Sequence, residues 1–490
     1  MKAIRELHKK MAATKKEPVV VSGAGPLNAP LGGLITWVDQ RFPLVSQWKD
    51  HMSEYYAPKN FNFWYYFGSL ALVILVLQIV TGIFLVMHYK PSAAEAFASV
   101  EYIMRDVPGG WLIRYLHSTG ASAFFIVIYL HMFRGLLYGS YRAPRELIWI
   151  FGMVIYLSLM AEAFFGYLLP WGQMSFWGAQ VIINLFDALP LIGPPLSEWI
   201  RGDFVVGDAT LNRFFAFHVI AIPLAILGLV AAHILALHEV GSNNPDGVEI
   251  KENKNAAGIP VDGIPFFPYY VVKDALGVAV FAALFCAVLF FAPEMGGYFL
   301  EYNNFVPADS LKTPPHIAPV WYFTPFYSIL RAVTEDFMKW LALGVAAYAT
   351  LIVFTSRGCL PKILAILIAP VIIFLMKGPS FTLFGVIFPI EPKVWGVVMM
   401  GVSTLIFFLM PWLDKSPVKS IRYKGPLSRW SLTAFVVVFL VLGYYGTQSV
   451  TDMGTAISQI GTILYFAYFL LMPWYTQMEK TLPVPSRVTM

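Results

Sequence analysis

Charge is scarce in this chain. Only 13% of its 490 residues are Asp, Glu, Lys or Arg, 58% are hydrophobic, and the mean hydropathy is +0.65. A soluble domain carries about 25% charge, most of it on its surface, so a soluble enzyme is excluded. The net charge of +5 is too small to point to nucleic acid, and no nucleic-acid partner is expected. Cysteine is nearly absent: Cys286 and Cys359 lie in or beside apolar stretches, with no C-x-x-C or C-x-x-C-H. That excludes cysteine-held iron-sulfur or zinc and covalently attached haem, so any metal must use other ligands. The N-terminal MKAIRELHKKMAATKKEP lacks the apolar core and cleavage site of a signal peptide and is expected to stay cytoplasmic. No glycine-rich dinucleotide fingerprint follows a strand.

What the sequence has is long apolar runs, each near the ~20 residues that cross a bilayer as a helix. They fall at about 64–88, 111–138, 147–169, 211–238, 274–292, 338–355, 361–377, 394–413, 430–447 and 457–476. The expected fold is an all-α integral membrane protein, a polytopic bundle of about ten helices. With the N-terminus inside, the loops holding Arg142 and Arg145, Lys251 and Lys254, Arg357 and Lys362, and Lys415 to Arg429 all fall inside, as cytoplasmic loops should. The outer segments 171–210 and 293–337 are too long and too rich in aromatics and proline to be idle connectors. The expected organisation is a basic N-terminal segment (1–60), a four-helix unit (61–245), an inner loop with the fifth span and an outer segment (246–333), a two-span insertion (334–393) and a C-terminal three-helix region (394–490).

Two spans carry paired histidines. YLHSTGASAFFIVIYLH (115–131) places His117 and His131 fourteen residues apart, and the fourth span places His218 and His233 fifteen apart. A lone membrane histidine is usually a hydrogen-bonded packing residue. Fourteen helical residues, however, rise ~21 Å and return to within ~40° of the same face, and fifteen rise ~22 Å and return to within ~60°. Both spans run from outside to inside, so His117 should lie level with His218 and His131 with His233. Two imidazoles per level suit a six-coordinate haem iron, whereas zinc would take four ligands at one level.

The neighbouring spans repeat the fourteen-residue period with Gly68 and Gly82, and with Gly152 and Gly166. Read alone these are small-residue packing positions; the shared period points to backbone clearance around two macrocycles. Arg114, Arg134 and Arg213 fall near the same levels, placed either to pair with haem propionates or to anchor at the interface.

With these features the chain resembles cytochrome b, the membrane subunit of the quinol:cytochrome c oxidoreductase complex, over about 34–333 and 394–478. GYLLPWGQMSFWGA (166–179), LHEVGSNNP (237–245), PFFPYYVVKDALG (265–277) and TPPHIAPVWYF (313–323) match family signatures. The resemblance implies two non-covalent b-type haems stacked in the four-helix core: a low-potential outer one on His117 and His218, and a high-potential inner one on His131 and His233. It implies quinol oxidation at an outer pocket and quinone reduction at an inner one, with proton translocation. It further implies a Rieske-type iron-sulfur protein and a c-type cytochrome as partners, ubiquinol or another quinol as substrate, membrane lipid around the helices, and a homodimeric complex. A bacterial inner membrane is the expected location.

At the inner pocket the resemblance assigns His238 and Asp274, with Lys273, to the quinone carbonyls; a solvated terminal histidine and a helix cap are the plain alternatives. At the outer pocket the family's PEWY is here Pro319-Val320-Trp321-Tyr322, and Val320 has no acid-base chemistry. Glu301 in FLEYNNF is the expected replacement, with Glu294 and Glu335 as runners-up, and Trp321, Tyr322 and Tyr327 line the pocket unless they form an interfacial aromatic belt. The spacing of fifteen is expected to rotate one haem slightly. Two readings from other classes stay open: a transmembrane ferric or superoxide-type haem reductase, which normally needs a flavin domain, and a haem-free transporter with histidine proton relays.

Overall fold

The computed structural model describes residues 29–377, 381–383, 386–388 and 391–489; the basic stretch 1–28 lies outside them. In lipid each backbone N–H and C=O must be satisfied within its own segment, so apolar runs of this length become helices. Ten helices among the described residues are long and apolar enough to cross a membrane. They are α1 (Phe63–Val86), α2 (Gly110–Tyr138), α3 (Glu146–Leu168), α4 (Asp208–Val240), α5 (Phe266–Phe291), α6 (Glu335–Thr355), α7 (Cys359–Met376), α8 (Pro392–Leu413), α9 (Pro426–Thr447) and α10 (Asp452–Leu470). The chain is a multi-pass membrane protein. Val76, Val80 and Ile83 on α1 and Ile220, Leu224 and Leu235 on α4 face outward, where a bilayer solvates them.

α1 packs on α2 and α3 on α4, and the histidines of α2 and α4 meet between these two pairs. A second bundle surrounds the short helix Thr324–Ala332, which packs on α8, α9 and α10. α6 and α7 form a hairpin beside it, so the chain leaves the second bundle at Thr334 and returns at Pro392. Short helices Gln173–Asp187 and Gly193–Arg201 occupy the connector between α3 and α4.

One element carries an added turn and another differs from expectation. The α-helix of α5 starts at Val271, so Lys273 and Asp274 stand in its opening turn as expected, and an irregular aromatic turn, Phe266–Tyr270, with Phe267 out of helical conformation, leads into it. α4 is not uniform: an α-helical start, Asp208–Ala216, passes through a π turn at Phe217–Ala221 before α-helix resumes at Ile222–Val240. A π turn accommodates one residue more than an α turn. The fifteen-residue spacing from His218 to His233 begins in this turn.

The ends of the bundle are built differently. At the basic end, the loops after α2, α4 and α8 interlock with the C-terminal segment. Arg145 grips Glu249 with two 2.7 Å hydrogen bonds, and Lys419 binds the same carboxylate. Asp246 accepts from Asn60, Arg422, Tyr423 and Thr489; Asp262 joins Lys59 and Arg487; Asp414 joins Lys424 and Tyr141. The strands Tyr56–Pro58 and Gly263–Pro265 pair antiparallel beside this network. Gly139 ends α2 with φ +65°, and a Cβ there would stand 2.5 Å from the Lys419 carbonyl, so glycine lets the α8–α9 loop close over the helix end. The opposite end is aromatic, with few ion pairs.

Candidate functional site: two histidine pairs and the pockets at their ends

Helical phase alone places four imidazoles on two levels. At the aromatic end His117 and His218 stand with ring centres 6.0 Å apart and planes at 85°; at the basic end His131 and His233 are 6.4 Å apart at 62°. A metal bonded to one nitrogen of each ring at ~2 Å sets two such centres about 6 Å apart. Among the described residues no three His, Cys, Asp or Glu converge, so the unit is a pair.

The groups behind the rings fix which nitrogen is free. Thr81 donates its hydroxyl hydrogen to the Leu77 carbonyl at 2.6 Å, so its oxygen accepts from Nδ1–H of His117 at 2.9 Å. Nδ1 of His218 faces acceptors only, the Glu162 carbonyl at 3.0 Å and the Glu162 carboxyl at 3.0 Å. Both rings therefore carry hydrogen on Nδ1 and leave Nε2 as the lone-pair nitrogen. At the basic end the Nδ1 atoms of His131 and His233 are buried without a hydrogen-bond partner.

All four period-fourteen glycines face these rings. A Cβ on Gly68 would lie 3.3 Å from Cε1 of His131, on Gly82 3.2 Å from His117, on Gly152 3.4 Å from His233, and on Gly166 2.4 Å from His218. The clearance expected around macrocycles is here taken by imidazole edges; Gly166 is the tightest. Of the three arginines, Arg114 and Arg134 each hold a buried guanidinium nitrogen without a partner, beside the rings of Tyr115 and Tyr65. A buried guanidinium nitrogen without an acceptor leaves a place for an anion. Arg213 differs: it is exposed and donates to the Trp199 carbonyl.

At the basic end, His238 stacks on Tyr55 with centres 4.4 Å apart, and Tyr55 reaches Ser242 through its hydroxyl at 2.9 Å. Lys251 donates to the carbonyls of His238 and Glu239, closing the end of α4. Asp274 is half-buried on α5 facing the Ser69 hydroxyl of α1, and exposed Lys273 lies over the Tyr270 ring. The structure brings His238 and Asp274 to the same end of the bundle but on different partners.

At the aromatic end, Tyr322 is buried with its ring stacked on Phe125 at 3.9 Å, and Trp321 donates to Ser122 at 3.1 Å. Val320 is buried among them. Glu301 accepts a 2.8 Å hydrogen bond from Tyr167, and burial pushes its carboxyl up to about 7. Its charge also registers at the Tyr322 phenol, which burial pushes up, so Tyr167, Glu301 and Tyr322 form one group. The segment is pinned in place: Asn304 exchanges hydrogen bonds with Ser175, Gln173 holds the backbone at Asp309 and Lys312, and a Cβ on Gly172 would collide with Asn304. Of the runners-up, Glu294 accepts from Tyr115 at 2.9 Å, while Glu335 is exposed in the first turn of α6 and away from this group. Tyr327 is half-buried under Arg331.

Sequence reasoning missed Thr81, Glu162 and Tyr167. Glu162 had a signal, an acidic residue deep in an apolar span. Tyr167 sat unremarked inside a motif, and Thr81 had none.

The chain is similar to known proteins over most of its length. The family profile described as Cytochrome b/b6/petB matches residues 52–241, and that described as Cytochrome b(C-terminal)/b6/petD matches 307–466. The chain is 58% identical to cytochrome b of Allochromatium vinosum over 459 residues, 93% of this chain and 98% of that one. It is 43% identical to cytochrome b of Rickettsia prowazekii over 93% of this chain and 97% of that one. A solved chain described as "Hyperthermophilic respiratory Complex III" superposes with a TM-score of 0.72 at 34% identity, covering 91% of this chain and 99% of that one. The chain belongs to the cytochrome b family.

Proposed function

We propose that this chain is the quinol-handling membrane subunit of a quinol:cytochrome c oxidoreductase in a bacterial inner membrane, with its basic end and N-terminus cytoplasmic. The observation that carries the reading is the pair of two-imidazole levels, each with a buried arginine nitrogen nearby that lacks a partner. That donor set fits two non-covalent b-type haems: His117 and His218 would hold the outer, low-potential one, His131 and His233 the inner, high-potential one, and Arg114 and Arg134 would meet their acidic side arms. When bound, the haems supply a one-electron path between the two quinone pockets.

In the outer pocket, walled by Trp321, Tyr322 and Tyr327, Glu301 takes a proton from the quinol hydroxyl. Its carboxyl, held near neutrality, matches the pH at which a base must both accept and release. The Tyr167 hydroxyl holds Glu301 in place, and Val320 replaces the carboxylate the family usually has. In the inner pocket His238 and Asp274 hydrogen-bond the two quinone oxygens and deliver protons from the cytoplasmic side, with Lys273 beside them. Protons thus leave outside and enter inside. A Rieske-type iron-sulfur protein and a c-type cytochrome take the other electron of each quinol, because this chain has no cysteine framework for either, and the complex is homodimeric.

The test is redox titration of the purified complex with pigment analysis. Two b-type components and two haems per polypeptide are expected, with His218→Leu removing one component and His233→Leu the other. Fewer than two haems per polypeptide overturns the reading, and no haem at all would favour a transporter.

A further inference from the structure

One acidic side chain has no place in the scheme above. Glu162 lies well inside α3, four residues before Gly166, where lipid and packed helices surround it. A carboxyl at that depth is costly unless something holds it. Its Oε1 stands 3.0 Å from Nδ1 of His218, and its own backbone carbonyl stands 3.0 Å from the same nitrogen. Its second oxygen, Oε2, is buried without a partner. The carboxyl is therefore engaged from one side only, by the ring edge of one histidine.

The other three histidines have no such neighbour. His117 has the Thr81 hydroxyl, a neutral acceptor, His233 has only the Ile148 backbone, and no side chain meets Nδ1 of His131 or His233. On the remaining side the His218 ring is fixed by Gly166, where even a methyl group would stand 2.4 Å from Cε1. The ring is thus clamped between a backbone that admits no side chain and two oxygens on the helical turn before it.

We propose that Glu162 is a positioning residue for the outer pair: its side chain holds the Nδ1–H of His218, fixes that ring's rotation and makes its Nε2 a stronger donor. A stronger nitrogen donor favours oxidised iron over reduced iron, so Glu162 lowers the potential of the outer centre and leaves the inner one alone. The four-histidine scaffold is nearly symmetric, and this side chain gives its two levels different affinities for an electron. The inference rests on the haem reading above and adds the device that separates the two potentials.

The experiment is optical redox titration of the purified complex carrying Glu162→Gln or Glu162→Thr, with the outer component identified as the one that His218→Leu removes. We expect both haems to be retained and the outer component to become easier to reduce by about tenfold, 59 mV for a one-electron couple, while the inner component moves by less than a third of that. Selective loss of the outer component, with the inner one unchanged, also supports the positioning role. Unchanged potentials in a variant that keeps both haems overturn it, as does an equal shift of both components or loss of both in both variants, which would mark a general packing role. If the unaltered complex binds fewer than two haems, the haem reading itself falls, which is a different result from any of these.

Discussion

At the aromatic end both imidazoles have an acceptor behind Nδ1, and the nearby carboxyl, Glu301, is hydrogen-bonded to a tyrosine. At the basic end no side chain stands behind either ring, His233 having only the Ile148 backbone, and the nearby carboxylates are gripped by arginine and lysine. The same helical period thus serves two different surroundings. One end controls its rings and holds an acid near neutrality; the other locks the chain together and leaves the rings to packing. Proton chemistry needs a group that changes charge, and structural clamping needs groups that do not.

The largest expected effect that separates the ends is at Glu301. Glu301→Gln should slow quinol oxidation by about 10²-fold or more. It should also abolish the rise in rate as pH passes through about 7, where the native carboxyl ionises; steady-state cytochrome c reduction across neutral pH measures both. A normal rate and pH profile would remove Glu301 from the reaction.

Next comes the clamp. Arg145→Ala leaves the Glu249 carboxylate with Lys419 but without its bidentate partner and should cost about 1.5–3 kcal/mol in thermal unfolding. Arg114→Ala, whose buried nitrogen has no protein partner, should cost far less. Acid gives the same contrast. Arg487 and Lys59 hold the Asp262 carboxyl down to about 2 against the opposing effect of burial, and Glu249 is likewise held low by Arg145 and Lys419 although burial opposes them. The stability these carboxylates contribute is fully present above their ordinary values and is lost as pH falls through the lowered ones. Glu301, shifted the other way, is already protonated there. Acid should therefore loosen the basic end first, visible as hydrogen exchange in 241–263 before 293–310.

A third contrast lies in the glycines. Gly166→Ala should cost about 1–3 kcal/mol and disturb only the His117–His218 level, because the methyl group meets a ring at 2.4 Å. Gly152→Ala, at 3.4 Å from His233, should be tolerated. The b-band spectrum of each variant distinguishes the levels. The smallest effect is Thr81→Val, which removes one hydrogen bond to His117, about 1 kcal/mol, and should soften the outer level by a few-fold in haem retention without altering the inner.

Much of this was legible in the sequence, and the rest was hidden for identifiable reasons. Hydropathy marks all ten spans because lipid selects on composition, and the pairing of His117 with His218 and of His131 with His233 follows from helical phase and span direction. The irregular turn ahead of α5 was not legible because Phe266–Tyr270 contains Pro268 and aromatics that read as a loop. The fit of the glycines against imidazole edges could not be read, since it depends on how α1 meets α2 and α3 meets α4. Arg213 looked equivalent to Arg114 and Arg134 by height, but height does not say which way a side chain turns. Glu301 was nominated by asking where a missing carboxyl had gone. Its partner Tyr167 was not, because a tyrosine beside a proline-tryptophan motif reads as an ordinary interfacial aromatic.

The π turn at Phe217–Ala221 has a consequence for how this helix tolerates change. Adding or removing a residue in a straight helix swings everything beyond it by about 100°, so every side chain downstream would lose its place at once. A widened turn works as an expansion joint: it takes up the added length locally, at the turn that itself carries His218, and lets Ile222–Val240 keep its own phase toward His233. A single-codon duplication at this point is thereby made survivable, and the two halves of α4 are free to diverge in length without dragging each other out of alignment.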